Sequence, residues 1–174
     1  MAALRNRDWG KYLMLIGGFV WFFRWALDNR YQPAYANPQS GVDYLAIIVS
    51  GLGFWLLALS LWLLHRERQL PPDRTRMVWL LGVGLAIAAA VVAGVISFAT
   101  GWLDSAALDT LAEVTTIVLI AGLVIAGLST LRPEDIPRIT GWILLAATFG
   151  IFSLERGGAA LVGICLAFLG YTRF

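Results

Sequence analysis

The sequence predicts an all-α fold: a polytopic membrane protein of six transmembrane helices, arranged as three hairpins with the last one short. Three observations carry this expectation. The 174 residues are 59% hydrophobic and only 14% charged, with a mean hydropathy of +0.75, whereas soluble domains carry roughly 25% charged residues. The apolar residues fall in runs of membrane-spanning length without polar/apolar alternation, so the backbone must be satisfied within helices rather than in a barrel. A basic segment followed by a tryptophan recurs three times, at Arg7-Asp8-Trp9, Arg74 to Trp79 and Arg138 to Trp142, and each opens a hairpin. The chain reads as one integral membrane domain, 1–174, with hairpins over about 7–65, 74–131 and 138–173.

The first span is expected over Tyr12 to Leu27. It follows a basic start and runs on into Trp21, Phe22, Phe23 and Arg24 with no small-residue cleavage site, which predicts a retained span rather than a removed signal. The second, Tyr44 to Leu64, the third, Val78 to Thr100, and the fourth, Thr110 to Leu131, are long enough to cross a bilayer. The fifth and sixth, Ile139 to Leu154 and Gly157 to Tyr171, have about 16 residues each, just under the ~17 to 25 of a full span. The Glu155-Arg156-Gly157-Gly158 segment between them favours two helices over one continuous helix, either crossing fully or re-entering.

The hairpins show an internal repeat. Asp43-Tyr44-Leu45-Ala46 opens the second span and Asp109-Thr110-Leu111-Ala112 the fourth, each followed by a basic, proline-containing turn, Pro71-Pro72-Asp73-Arg74 or Pro133 to Pro137-Arg138. The step of about 65 residues contains an even number of spans, so the copies are expected to be parallel, related by an axis along the membrane normal.

Charge placement predicts orientation. Arg5, Arg7, Lys11, Arg66, Arg68, Arg74, Arg76, Arg132, Arg138 and Arg173 map to one side; Arg24, Arg30 and Arg156 share the other with Asp28, Asp43, Asp104, Asp109 and Glu155. Basic segments are retained in the cytoplasm, which places both termini there and hides a strong asymmetry beneath a net charge of +2. Arg66, Arg68, Arg74 and Arg76 form a candidate cytoplasmic patch for lipid head groups, or serve as topology signals alone. Trp9, Trp79 and Trp142 at the inner ends, with Trp102, Tyr31, Tyr35 and Tyr44 on the outer side, fit aromatic belts.

Small residues run through the spans: Gly17-Gly18, Gly51, Gly53, Gly82, Gly84, the run Ala86 to Ala90, Ala93 and Gly94. They predict close helix packing, which drives association where lipid removes the hydrophobic incentive. Three hairpins with an aromatic residue near each inner end, together with these glycines and Gly122, Gly127 and Gly163, resemble the HdeD-type inner-membrane proteins. The resemblance implies a six-span architecture in a bacterial inner membrane and a link to acid-stress resistance. The outer-turn prolines associated with that family have counterparts only around Pro33 and Pro38, and no functional residue is carried over.

Ionisable residues within spans are costly and mark candidate sites. Arg24 lies toward the outer end of the first span, and Glu113 one turn into the fourth; the two could pair. With Glu155 and Arg156 they form a candidate outer polar cluster, a hydrated vestibule; the alternative is that each snorkels separately to the interface.

Several chemistries are disfavoured. His65 is the single histidine and is expected in a solvated cytoplasmic connection; Lys11 is the only lysine; Cys165 is the only cysteine. Paired haem ligands, a multi-histidine metal site and a Schiff-base lysine are therefore excluded within one chain, as is an intramolecular disulfide. No catalytic residue, metal, cofactor or nucleic-acid partner is expected. Two functions remain: a non-catalytic structural or accessory membrane protein packing against copies of itself, other membrane subunits and lipids, or a small channel or transporter component using the outer cluster, with hydroxyls such as Ser50, Ser97, Thr115 and Thr116 along its path.

Overall fold

The computed structural model describes residues 2–35, 37–67, 74–100, 103, 106–131 and 138–173. These described residues are all-α and form six helices: α1 (Ala2–Tyr31), α2 (Gly41–Glu67), α3 (Arg74–Thr100), α4 (Ala106–Ser129), α5 (Arg138–Phe152) and α6 (Gly158–Arg173), with one short 3-10 turn, Leu154–Arg156, between α5 and α6. Helices α2, α3 and α4 are long and apolar enough to cross a membrane, while α5 and α6 are shorter apolar helices. The 27 residues of α3 span about 40 Å at 1.5 Å per residue, against a hydrocarbon core of about 30 Å. The 15 residues of α5 reach only about 22 Å. Helix α1 extends well before the expected span, beginning at Ala2, and carries Lys11, Arg24 and Asp28 along its length.

Each helix packs on its neighbours in sequence, and α6 closes back on α1. Neighbouring helices are antiparallel: Gly82 of α3 meets Ala126 of α4 while Ala86 meets Gly122, and Gly18 of α1 meets Gly163 and Ala167 of α6 while Met14 meets Gly170. The result is a ring of helices whose interior is filled by side chains from all six, among them Trp21, Leu57, Leu61, Trp79, Leu119, Leu123, Leu144 and Val162, none more than 2% exposed. Large apolar side chains also cover the outside, with Phe19, Ile117, Phe149 and Phe152 largely exposed. An apolar exterior around an apolar interior is what a lipid environment favours.

The seams explain the small residues. A Cβ placed on Gly82 would lie 2.6 Å from the Ala126 nitrogen and 2.9 Å from the Gly122 oxygen, and one on Gly122 would lie 2.6 Å from the Ala86 nitrogen. Backbone meets backbone there, so nothing larger than glycine fits without moving a helix. Gly18 and Gly163 face each other in the same way across the α1–α6 closure. Gly84 departs from the expected packing face: nothing lies within 4 Å of its Cβ position, and both it and Ala88 point outward, because a stripe at helical spacing includes residues 82, 86, 89 and 90 but leaves out 84 and 88.

The helix ends are chemically specified. Gln32 adopts a left-handed φ of 46° after α1, its N–H donates to the Asp28 carbonyl at 3.2 Å, and Pro33 prevents continuation. Helix α2 starts with a capping box: the Ser40 N–H donates to Asp43 Oδ2 at 2.8 Å, and the Asp43 N–H donates to Ser40 Oγ at 3.2 Å. Between α5 and α6, Gly157 takes a φ of 93° and its N–H donates to the Leu154 carbonyl, ending the 3-10 turn. This turn is the break expected at Glu155-Arg156-Gly157-Gly158, and it lies against Trp25 of α1.

Two expectations about rings require correction. Trp79, assigned to an inner aromatic belt, is completely buried and donates through Nε1 to His65 Nδ1 at 3.3 Å. His65 is accordingly a half-buried residue of the last turn of α2 and not a solvated loop residue. A tryptophan at a helix start can serve the interface or the core, and here the α2–α3 contact turns it inward. Trp9 and Trp142 are exposed; Trp102 lies outside the described residues.

Candidate functional site

The densest polar arrangement among the described residues lies where α1 gives way to α2. Arg24, Trp21 and Asp28 share one face of α1 through i+3 and i+4 spacing. The Arg24 Nε lies 3.5 Å from Asp28 Oδ2, with side-chain exposures of 12% and 23%. The guanidinium carbon sits 5.3 Å from the Trp21 ring centroid, 5.5 Å from that of Tyr35 and 6.0 Å from that of Phe54. Three aromatic rings thus surround one cation, and their electron-rich faces offset part of its lost hydration.

The connection over this cation is fixed by one carboxylate. Asp43 Oδ1 accepts from the Ala34 N–H at 2.9 Å, and Oδ2 accepts from the N–H groups of Gln39 and Ser40 and from the Ser40 hydroxyl. Tyr35 is thereby held with its ring over Arg24 and its hydroxyl donating to Asp28 Oδ1. Burial pushes the Tyr35 phenol up to about 12; the Arg24 charge opposes this rise, and the Asp28 bond and charge reinforce it. Ser50 Oγ of α2 lies beside the Tyr35 hydroxyl.

Arg24 Nε and Nη1 and Ser50 Oγ are buried and have no hydrogen-bond partner. A buried donor left unpaired costs about 1–3 kcal/mol. These groups suit a small molecule or water bearing acceptor oxygens, so the chemistry on offer is binding. A guanidinium stays protonated and cannot act as a general acid or base at ordinary pH. Asp28 is committed to Arg24 and Tyr35. Among the described residues no group of three or more His, Cys, Asp or Glu side chains could hold a metal ion.

The sequence-derived cluster is distributed differently. Arg24 pairs with Asp28 in its own helix, whereas Glu113 is exposed on α4, a helix that packs on α3 and α5. Arg156 is exposed on the 3-10 turn, and the side chain of Glu155 lies outside the described set. In the basic group, Arg66 sits with its guanidinium 5.6 Å from the Trp62 ring centroid, Arg74 and Arg76 are exposed in the first turn of α3, and Arg68 lies outside the described residues. Asp28, Tyr35 and Ser50 are the members that sequence reasoning did not join to Arg24. The i,i+4 spacing of Arg24 and Asp28 was a usable signal; nothing local links Tyr35 or Ser50 to them.

Comparison with family models, with curated proteins and with solved structures finds no match to this chain.

Proposed function

We propose that this chain is a non-catalytic structural or accessory integral membrane protein of six spans, built from three parallel hairpins, the last short. Both termini are cytoplasmic and the membrane is a bacterial inner membrane. It packs against copies of itself or other membrane subunits. The observation that carries this reading is the interior: its main apolar cluster is contributed by all six helices, and a smaller one joins α1 to α2. Four hydroxyls agree with it, while Ser50 Oγ and Ser60 Oγ stay buried without a partner. Ser97 donates to the Ala93 carbonyl, Thr116 to Ala112, Thr130 to Gly127 and Thr148 to Leu144, so each is spent on its own helix. The exposed apolar exterior and the shallow reach of α5 and α6 leave faces suited to lipid or to other spans.

Purification in mild detergent, followed by mass analysis of co-purifying subunits, tests the proposal. A stable homo- or hetero-oligomer without solute flux in liposomes is the expected result. A monodisperse chain that conducts ions or solutes would overturn it. The second reading, a small channel or transporter component, is favoured by Arg24 Nε and Nη1 and Ser50 Oγ, which are buried without a hydrogen-bond partner. On that reading flux is lost in Arg24→Gln, and in Glu113→Gln if the wider vestibule takes part.

A further inference from the structure

The α3–α4 seam is closest at Gly82 and Gly122. One turn toward the start of α3 the side chains become large, and the helices flank a groove of about 490 Å³. Val78, Ile125, Leu128 and Leu131 line its walls, with Arg74 and Thr75 at the α3 start. The geometry points to a binding groove for one anionic phospholipid, whose phosphate is taken by Arg74 and whose acyl chain lies along Val78, Ile125 and Leu128. The inference rests on the membrane placement proposed above and not on what the chain assembles with.

Charge and polarity select this occupant. Arg74 is exposed, and among the described residues it makes no ion pair and no carboxylate lines the groove. Its planar guanidinium can donate two parallel N–H bonds to a phosphate, the Thr75 hydroxyl can add another, and the first-turn N–H groups of α3 favour negative charge at the same end. Arg76, also exposed in that turn, adds to the positive potential there. The walls are the opposite in character: Val78 and Leu128 are half-exposed hydrocarbon, continuous with the outer face of the bundle. A soluble phosphate would use the cation but leave the walls wet. A lipid uses both.

The test uses full-length protein, extracted in mild detergent, stripped of lipid and titrated separately with phosphatidylglycerol, phosphatidylcholine and inorganic phosphate, with adducts read by native mass spectrometry. The expected result is one phosphatidylglycerol per chain, held roughly fivefold or more tightly than phosphatidylcholine. Retention should fall by roughly that factor in Arg74→Gln. It should also fall in Val78→Trp, which fills the groove and leaves the charge in place. Arg30→Gln, an exposed cation at the opposite end, should bind like the parent. Equal retention of the two lipids, or unchanged retention in both groove variants, overturns the proposal. Inorganic phosphate binding that depends on Arg74 and ignores Val78→Trp assigns a soluble-anion site and overturns the lipid assignment. Recovery in the membrane fraction reads placement independently: a parent chain that fractionates with membranes yet retains no lipid overturns the groove and leaves the membrane reading intact.

Discussion

Asp28 is the counter-charge of an arginine that is only 12% exposed, so the two partners are unequal under mutation. Asp28→Asn keeps an acceptor for the Tyr35 hydroxyl but leaves the guanidinium without its carboxylate. It should destabilise the protein by about 2–3 kcal/mol, below the range for a fully buried pair because Asp28 keeps some solvent contact. Adding Arg24→Met should recover at least about 1 kcal/mol of that loss. Thermal unfolding in detergent checks both; a double variant as damaged as the sum of its singles would refute the coupling. Tyr35 gives a pH signature. Its phenol ionises near its ordinary value of about 10 when unfolded and at about 12 when folded. The unfolded chain therefore releases the proton first, and the stabilising effect of the neutral phenol is full below pH 10 and lost as pH rises toward 12. Tyr35→Phe should lack this slope, measured as the difference in unfolding midpoint between the two proteins across that window.

At the scale of the helix, the α3–α4 seam and the outward side of α3 make opposite predictions for the same residue type. Gly82→Leu must push a side chain into the Gly122–Ala126 backbone and should cost about 2 kcal/mol or more, with loss of a monodisperse species in gel filtration. Gly84→Ala meets open space and should be neutral or stabilising by up to about 1 kcal/mol, since glycine is a poor interior helix residue. The contrast also shows what the sequence makes legible. Long apolar runs announce α2, α3 and α4 because backbone satisfaction in lipid leaves little else, and the Gly157-Gly158 pair announces the α5–α6 break through its backbone freedom. Composition alone does not distinguish Gly82 from Gly84; that takes the phase of the helix relative to its neighbour. Trp79 and His65 are hidden for a related reason, since whether a ring at a helix end turns inward depends on the facing helix. The Arg24 site was half legible: a cation within a long apolar run is visible by its cost, but Tyr35 reaches it only because Asp43 holds the connection in place.

For the whole molecule the decisive contact is the closure of α6 on α1, with Gly18 and Gly163 backbone to backbone. If that contact holds the ring together, a chain divided between α4 and α5 should reassemble. Co-expressed fragments 1–131 and 138–174 are expected to co-purify through a tag on either piece, and Gly163→Leu should abolish the pairing; fragments that never associate would show that α5 and α6 add no specific closure. The closure also imposes an order on biogenesis. The helix made first has its partner made last, so the Met14, Gly18 and Trp21 face of α1 waits through the synthesis of four intervening helices before it is covered. In the membrane placement proposed above, that small-residue face is open during the interval to lipid or to an insertion factor, whereas Arg24 is already covered by Tyr35 and Phe54, and a nascent chain released early would expose the surface that the finished ring conceals.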